Sequence, residues 1–250
     1  MTQRSVLVTG GAAGIGLAIA RGLAAQGHRV LLADISDSVH TTADSINTPQ
    51  APVYGLVADM GVEAQVLGTA KHASELFGGC DILVNCAGVS RKRDGQPIPP
   101  VEVLTEDWER VLRINLTAPF LLSRELLPGM RQRRFGRIIN IASRAGRTFV
   151  APAGIDYAAS KAGLIGLTRH LAGTYAPDGV TVNCIAPGRI ETALSSLSSP
   201  EIIAAAATAI PVGRLGNTDE VAAAAVFLAS EQASYITGVC LDVNGGVFMA

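Results

Sequence analysis

The stretch "SVLVTGGAAGIGLAIARGLAAQG", residues 5–27, decides the fold. Five strand-forming residues lead into a glycine-rich turn at 9–16, and a helical apolar pattern follows. Gly10, Gly14 and Gly16 permit a tight turn and a close backbone approach. The helix behind them aims its free N–H groups at whatever binds there, which favours a pyrophosphate. A glycine cluster also suits a bare turn; the strand–loop–helix context is what favours a phosphate loop. Asp34 ends the next strand, 18 residues after Gly16, where a carboxylate can accept hydrogen bonds from an adenosine ribose. A carboxylate there repels a 2′-phosphate, so NAD is favoured over NADP. The other reading of Asp34 is a helix cap.

Outward from this unit, strand-length apolar runs recur at 29–34, 52–59, 81–88, 136–143, 180–188 and 238–246, most of them separated by helical patterns. Such alternation means parallel strands joined by right-handed crossovers. The expected fold is α/β: one doubly wound, Rossmann-type parallel sheet of seven strands with helices on both faces. It forms a single nucleotide-binding domain over 1–250, without linker or repeat. Loops at about 90–100, 144–155 and 189–210 lie at the carboxyl edge of the sheet, and the segments 90–100 and 191–203 are expected to be the most mobile. Asn217 and Glu220 have capping-box spacing at the head of a late helix.

Composition bounds the function. Apolar residues are 48% of the chain and aromatics only 4%, which suits buried parallel strands under close-packed helices. A net charge of −1 argues against general nucleic-acid binding. Cys80, Cys86, Cys184 and Cys240 form no CxxC pair and read as reduced thiols of a cytoplasmic protein. The sequence enters a strand at once with no signal peptide, and no apolar run is long enough to span a membrane. His28, His40, His72 and His170 lack metal-ligand spacing, so no metal is expected. No G-x-S-x-G elbow is present, which disfavours a serine hydrolase.

"IDYAASKAG", residues 155–163, places Tyr157 and Lys161 on one helix face. A phenol with a pKa of about 10 needs roughly 4 kcal/mol of help to ionise near neutrality. One cation about 4 Å away at an effective dielectric of ~20 supplies about that much. By itself Y-x-x-x-K is a common accident of sequence.

The pair does not stand alone. "TGGAAGIG", Asp34, Asp59, "NCAG" at 85–88, Asn115, Ser143, Tyr157 with Lys161, and "PGRIET" at 187–192 occur in the order of the short-chain dehydrogenase/reductase family, which the chain resembles over its whole length. The resemblance implies a catalytic tetrad of Asn115, Ser143, Tyr157 and Lys161. In it Tyr157 is the acid or base, Ser143 steadies the reacting oxygen, and Lys161 lowers the phenol pKa and holds a ribose. Asn115 organises a water chain. It also implies cofactor contacts from Gly10, Gly14, Ile15, Gly16, Asp34, Asp59, Met60, Asn85, Ala87, Gly88, Pro187, Gly188, Ile190 and Thr192, and assembly as a homotetramer or homodimer. Cys86 departs from the family's second Asn, and the segment between Ser143 and Tyr157 is about one residue longer than usual.

On the substrate side Arg91, Arg144, Arg147 and Arg189, with Lys92 and Arg93, populate the expected loops. These arginines either grip an anionic group, as arginine does carboxylate or sulfonate, or point to water and to salt bridges. The main expectation is an NAD-dependent oxidoreductase that interconverts a secondary alcohol and a ketone, or a sugar hemiacetal and lactone. Its small polar substrate would be a sugar, sugar acid, sulfonated sugar or hydroxy acid, bound at Ser143 and the arginines. The alternative is a 3-oxoacyl-(acyl-carrier-protein) reductase-like enzyme, for which Arg134 could dock a carrier but Asp178 stands where such reductases often carry a second base. A non-catalytic dinucleotide sensor is the third reading.

Overall fold

A computed structural model describes residues 2–191 and 207–249. Ser5–Thr9 (β1) is buried on both faces, as a central parallel strand must be. Its side chains alternate: Val6 and Val8 join one core, Leu7 the other. Gly14–Ala25 (α1) covers the first core, then Arg29–Asp34 (β2), Ser38–Ile46 (α2), Val53–Val57 (β3), Glu63–Phe77 (α3) and Ile82–Asn85 (β4) follow. Lys92–Arg93 (β5) and Gln96–Pro97 (β6) form a small hairpin. Thr105–Leu112 (α4) and Ala118–Gln132 (α5) flank a π-helical turn at Arg113–Thr117. Gly136–Ile141 (β7), Ile155–Tyr175 (α6), Val180–Pro187 (β8), Thr218–Ala229 (α7) and Cys240–Val243 (β9) complete the described elements.

The sheet is parallel throughout, in the order β3-β2-β1-β4-β7-β8-β9. The chain winds outward from β1 to β3, then returns to β4 and winds the other way. The carboxyl ends of β1 and β4 therefore bound the crevice where such sheets bind ligands. Residues of α1, α2 and α7 pack on one face and those of α3, α5 and α6 on the other. Where α1 meets α7, a Cβ on Gly22 would lie 2.8 Å from Val226. The capping box forms at α7: Glu220 N donates to Asn217 Oδ1 (2.9 Å) and Asn217 N to Glu220 Oε2 (2.8 Å).

The segment 90–100 is not a featureless loop. Asp94 and Gly95 both adopt positive φ (51° and 76°), the geometry of a two-residue hairpin turn. Residues 192–203 of the segment expected to be mobile, and 192–206 of the 189–210 loop, lie outside the described residues. No helix among the described residues is long and apolar enough to cross a membrane, and none of their His, Cys, Asp and Glu groups cluster to hold a metal.

Candidate active site

The glycine-rich loop turns twice in the left-handed region, at Gly10 (φ 67°) and Gly14 (φ 57°). A Cβ on Gly10 would lie 2.9 Å from the backbone of Ala87, and one on Gly16 would strike the Gly10 carbonyl oxygen. The loop is thus closed on itself and pressed against the end of β4. Ala13 at the head of α1 supplies no capping side chain, so the first-turn N–H groups are not satisfied by one. Ile15 packs against the core, leaving its backbone for the loop.

Beside the loop is a cavity of about 160 Å³. It brings together Gly10, Asp34, Asp59, Met60, Ala87 and Gly88, six of the positions predicted to meet a cofactor. Asp34 closes one wall: Oδ2 accepts from Ala12 N and Oδ1 from Ser36 N, each at 3.0 Å. Asp59 Oδ1 accepts from Gly61 N (2.7 Å), and Arg110 stands 4.0 Å from its other oxygen. Asn85 is different. Its side chain, expected on the ribose side, is 2% exposed and donates to Asn140 Oδ1 (2.8 Å), which leaves it unavailable to a nucleotide. The inward face of a parallel strand buries that side chain, and Ala87, Gly88 and Val89 beyond it line the cavity.

On the far side of Gly88 the sheet meets α6. A Cβ on Gly88 would lie 3.4 Å from both Asn115 Oδ1 and Lys161 Nζ. Asn115 sits in the π-helical turn, a local widening that often marks functional sites. Its Oδ1 accepts from Val89 N (2.9 Å), and its Nδ2 donates to Val89 O (2.9 Å) and Ser160 Oγ (3.0 Å). Lys161 Nζ donates to Ile141 O at 2.7 Å and lies 5.7 Å from the centre of the Tyr157 ring. The Tyr157 phenol lies near Ser143. Ser143 Oγ accepts from Ala145 N (3.1 Å) and so starts the tight turn at 144–146. Gly146 in that turn is pressed on the catalytic-candidate helix: its Cβ would lie 2.6 Å from the Lys161 carbonyl carbon.

The electrostatics depart from the expectation that Lys161 drags the phenol toward neutrality. Burial pushes the Tyr157 phenol up from its ordinary value, against the opposing influence of Ser143. Burial likewise lowers Lys161, to about 8. The ammonium is committed to the Ile141 carbonyl, and burial is the largest influence on the phenol. At pH 7 the site therefore holds a neutral phenol beside an ammonium that is still mostly charged.

That buried ammonium is costly, which yields a stability prediction. A lysine depressed from 10.5 to about 8 carries a penalty of about 3 kcal/mol when charged, partly offset by its bond to Ile141. Lys161→Met is expected to raise the unfolding free energy by about 1–2 kcal/mol at pH 7 while abolishing function. Between about pH 8 and 10.5 the unfolded wild type binds the proton and the native state does not, so wild-type stability rises there. The gap should be full below pH 8 and close toward 10.5 in denaturant titrations. A methionine variant that is less stable at pH 7, with a gap indifferent to pH, contradicts this placement of the charge.

The arginines are mostly engaged within the chain. Arg91 Nη1 pairs with Asp107 (2.8 Å) and Arg147 Nη1 with Asp242 (2.7 Å); Arg93 pairs with Glu102. Arg91 and Arg147 are thus not free to grip an anion, a correction that distant partners made invisible in sequence. Arg144 and Arg189 make no ion pair among the described residues; Arg189 is exposed and Arg144 half-buried. Arg131 and Arg134 at the end of α5 both face Asp178, at 2.8 and 3.6 Å. Pro187 ends β8, a Cβ on Gly188 would lie 2.8 Å from Asn244 Cα, and Ile190 bridges to Gly216; Thr192 lies outside the described residues. Sequence reading missed Ser160, Gly146 and the Asn140–Thr168 pair (2.8 Å) that ties α6 to β7. Ser160 lies inside the Tyr157–Lys161 spacing, where its position alone could have marked it.

Known proteins resemble the chain over nearly its whole length. A family model described as enoyl-(acyl carrier protein) reductase matches residues 10–248. Nodulation protein G of Rhizobium sp. (strain N33) is 42% identical over 100% of this chain and 98% of its own. The 3-oxoacyl-(acyl-carrier-protein) reductase FabG of Aquifex aeolicus is 40% identical, covering 97% of this chain and 96% of its own. The crystal structure of a 3-oxoacyl-(acyl-carrier protein) reductase with bound NAD from Brucella melitensis superposes with a TM-score of 0.91 at 36% identity, over 100% of this chain and 92% of that one.

Proposed function

Because the chain belongs to the short-chain dehydrogenase/reductase family, we propose that it reduces the 3-oxo group of an acyl thioester to the 3-hydroxy group, using a nicotinamide dinucleotide and preferring NAD(H). The observation that carries this reading is the buried Tyr157 phenol near Ser143, with the Lys161 ammonium 5.7 Å from its ring centre and one glycine away from the cavity beside the loop. A protonated phenol is a proton donor, which suits reduction of a ketone more than oxidation of an alcohol. The activity named for the Aquifex and Brucella relatives supports the same direction and substrate class, rather than the sugar or sugar acid expected from the arginines.

Gly10, Gly14 and Gly16, Asp34, Asp59, Ala87 and Gly88 would hold the dinucleotide, with Pro187, Gly188, Ile190 and Thr192 at its nicotinamide end. When bound in reduced form it supplies the hydride. Ser143 Oγ holds the substrate carbonyl oxygen, and Tyr157 Oη delivers the proton to that oxygen as negative charge develops on it. Lys161 Nζ stabilises the phenolate that remains. Asn115 clamps Val89 and Ser160, which keeps Gly88 and the catalytic helix in register. The reading includes assembly as a homotetramer or homodimer through α4–α5, α6 and β9, where Phe120 and Leu241 stay exposed on the single chain.

Asp34 decides the cofactor. Neither the loop 9–16 nor residues 34–40 contain Lys or Arg, and the one arginine on the cavity, Arg110, faces Asp59. A 2′-phosphate would meet the Asp34 carboxylate with no nearby cation to offset it. At an effective dielectric of ~20 such contact costs about 3 kcal/mol, or roughly 100-fold. The kcat/KM with NADH should exceed that with NADPH by about this factor, and Asp34→Ala should narrow the ratio mainly by improving NADPH. A wild type that prefers NADPH would remove Asp34 from this role.

The substrate class is tested by comparing kcat/KM for 3-oxoacyl thioesters, carried by coenzyme A or by an acyl carrier protein, with that for polyols and sugar acids. The thioesters should lead. Since Asp178 pairs with both Arg131 and Arg134 and cancels one of their two charges, the carrier protein should give only a modest advantage over coenzyme A. Sugar-acid turnover far above thioester turnover would overturn the proposal.

A further inference from the structure

Strands β8 and β9 run parallel with Cys184 directly opposite Cys240. Neighbouring strands lie about 4.8 Å apart, inside the Cα separation that a disulfide requires. The two cysteines share a small cluster with Ala142 and Ile165, so their side chains are on the same face. Cys184 is fully buried and Cys240 is half-buried. Arg147, four residues after Ser143, sits beside them: its Nη1 donates to Cys240 O (3.0 Å) and Asp242 Oδ2 (2.7 Å).

The pair divides its labour. Cys184 beside it and then Arg147 hold the Cys240 thiol down from its ordinary value against burial, whereas Cys240 beside it and burial push the Cys184 thiol up. One thiolate per pair, placed on the more accessible sulfur, is what a nucleophile with a resolving partner requires. Cys80 and Cys86 contrast with this, since burial pushes both up to about 12. The proposed reductase chemistry uses neither Cys184 nor Cys240.

We propose that Cys184 and Cys240 form a thiol-oxidation site that a hydroperoxide converts to a cross-strand β8–β9 disulfide beside Arg147, in the segment that follows Ser143. The Cys240 thiolate attacks one peroxide oxygen, forming S–O and breaking O–O; the alkoxide or hydroxide released takes up a proton, and Cys240 becomes a sulfenic acid. The Cys184 sulfur then attacks the Cys240 sulfur. S–S forms, S–O breaks, and the departing hydroxide leaves as water with the Cys184 proton. Two electrons pass from the thiols to the peroxide, and a thiol reductant reverses the change.

The test exposes the folded full-length chain to hydrogen peroxide, then alkylates it and maps its peptides by mass spectrometry. The expected product is a Cys184–Cys240 cross-link, reversed by dithiothreitol, with Cys80 and Cys86 still alkylatable after denaturation. In Cys184→Ala the cross-link is lost and Cys240 is trapped by dimedone as sulfenic acid. In Cys240→Ser, the less buried replacement, Cys184 stays reduced. Arg147→Ala should slow Cys240 oxidation several-fold. Circular dichroism confirms that each variant is folded. Cys240 remaining a thiol in folded wild type under peroxide that oxidises the unfolded chain would overturn the proposal, as would a cross-link to any other cysteine.

Discussion

Tyr157→Phe should lower kcat by about 10³-fold, within the 10²–10⁴ range typical of a lost general acid, while the fold and dinucleotide affinity stay intact. The phenylalanine keeps the ring that packs beside Lys161 and removes only the hydroxyl near Ser143. The carbonyl oxygen would then have Ser143 to hold it but no proton donor in line. Since burial of that hydroxyl already disfavours its ionised form, its loss should leave stability within about 1 kcal/mol of wild type. Steady-state rates, dinucleotide titration by fluorescence and thermal unfolding measure the three quantities. A kcat within threefold of wild type would mean that the proton comes from elsewhere.

The second large effect is structural. Gly16→Ala sets a methyl group against the Gly10 carbonyl oxygen, with the Gly10 carbonyl carbon only 2.8 Å away. Both atoms are backbone of Gly10, at the other end of the closed loop from Gly16, so no side chain can swing aside. The loop must open, and stability should fall by about 2–3 kcal/mol, a Tm drop of roughly 5–10 °C for a chain of this size. Dinucleotide affinity should fall at least tenfold, because the N–H groups of α1 lose their aim. Gly68→Ala in α3 is the matched control: nothing lies within 4 Å of its Cβ, so alanine should raise stability by up to about 1 kcal/mol. Two identical chemical changes with opposite signs separate crowding from helix propensity.

Much of this fold was legible because parallel strands announce themselves. The runs at 5–9 and 29–34 are β1 and β2 to the residue. Where the apolar run overshoots, hydrogen bonding explains it. The 81–88 run ends as a strand at Asn85, because the Cys86 and Ala87 N–H groups turn to Thr9 Oγ1 instead of a neighbouring strand. The hairpin at 92–97 escaped because four paired residues carry no periodicity, although the Asp94–Gly95 dipeptide is a turn signal.

Site residues on the loop and on α6 were legible from local spacing; their partners were not. Arg147 finds Asp242 across 95 positions and Asn85 finds Asn140 across 55, and no local pattern encodes such pairings. The phenol's upward shift was missed for a related reason: pairwise charge arithmetic sees Lys161 but not the burial that desolvates ring and ammonium together.

The most direct test of the central claim is the initial rate of 3-oxoacyl thioester reduction as a function of pH. A neutral Tyr157 acting as acid beside a Lys161 that titrates near 8 predicts a plateau through neutrality and a decline above about pH 8. A rate that climbs with pH through neutrality, or no reduction at any pH with either nicotinamide cofactor, would contradict it.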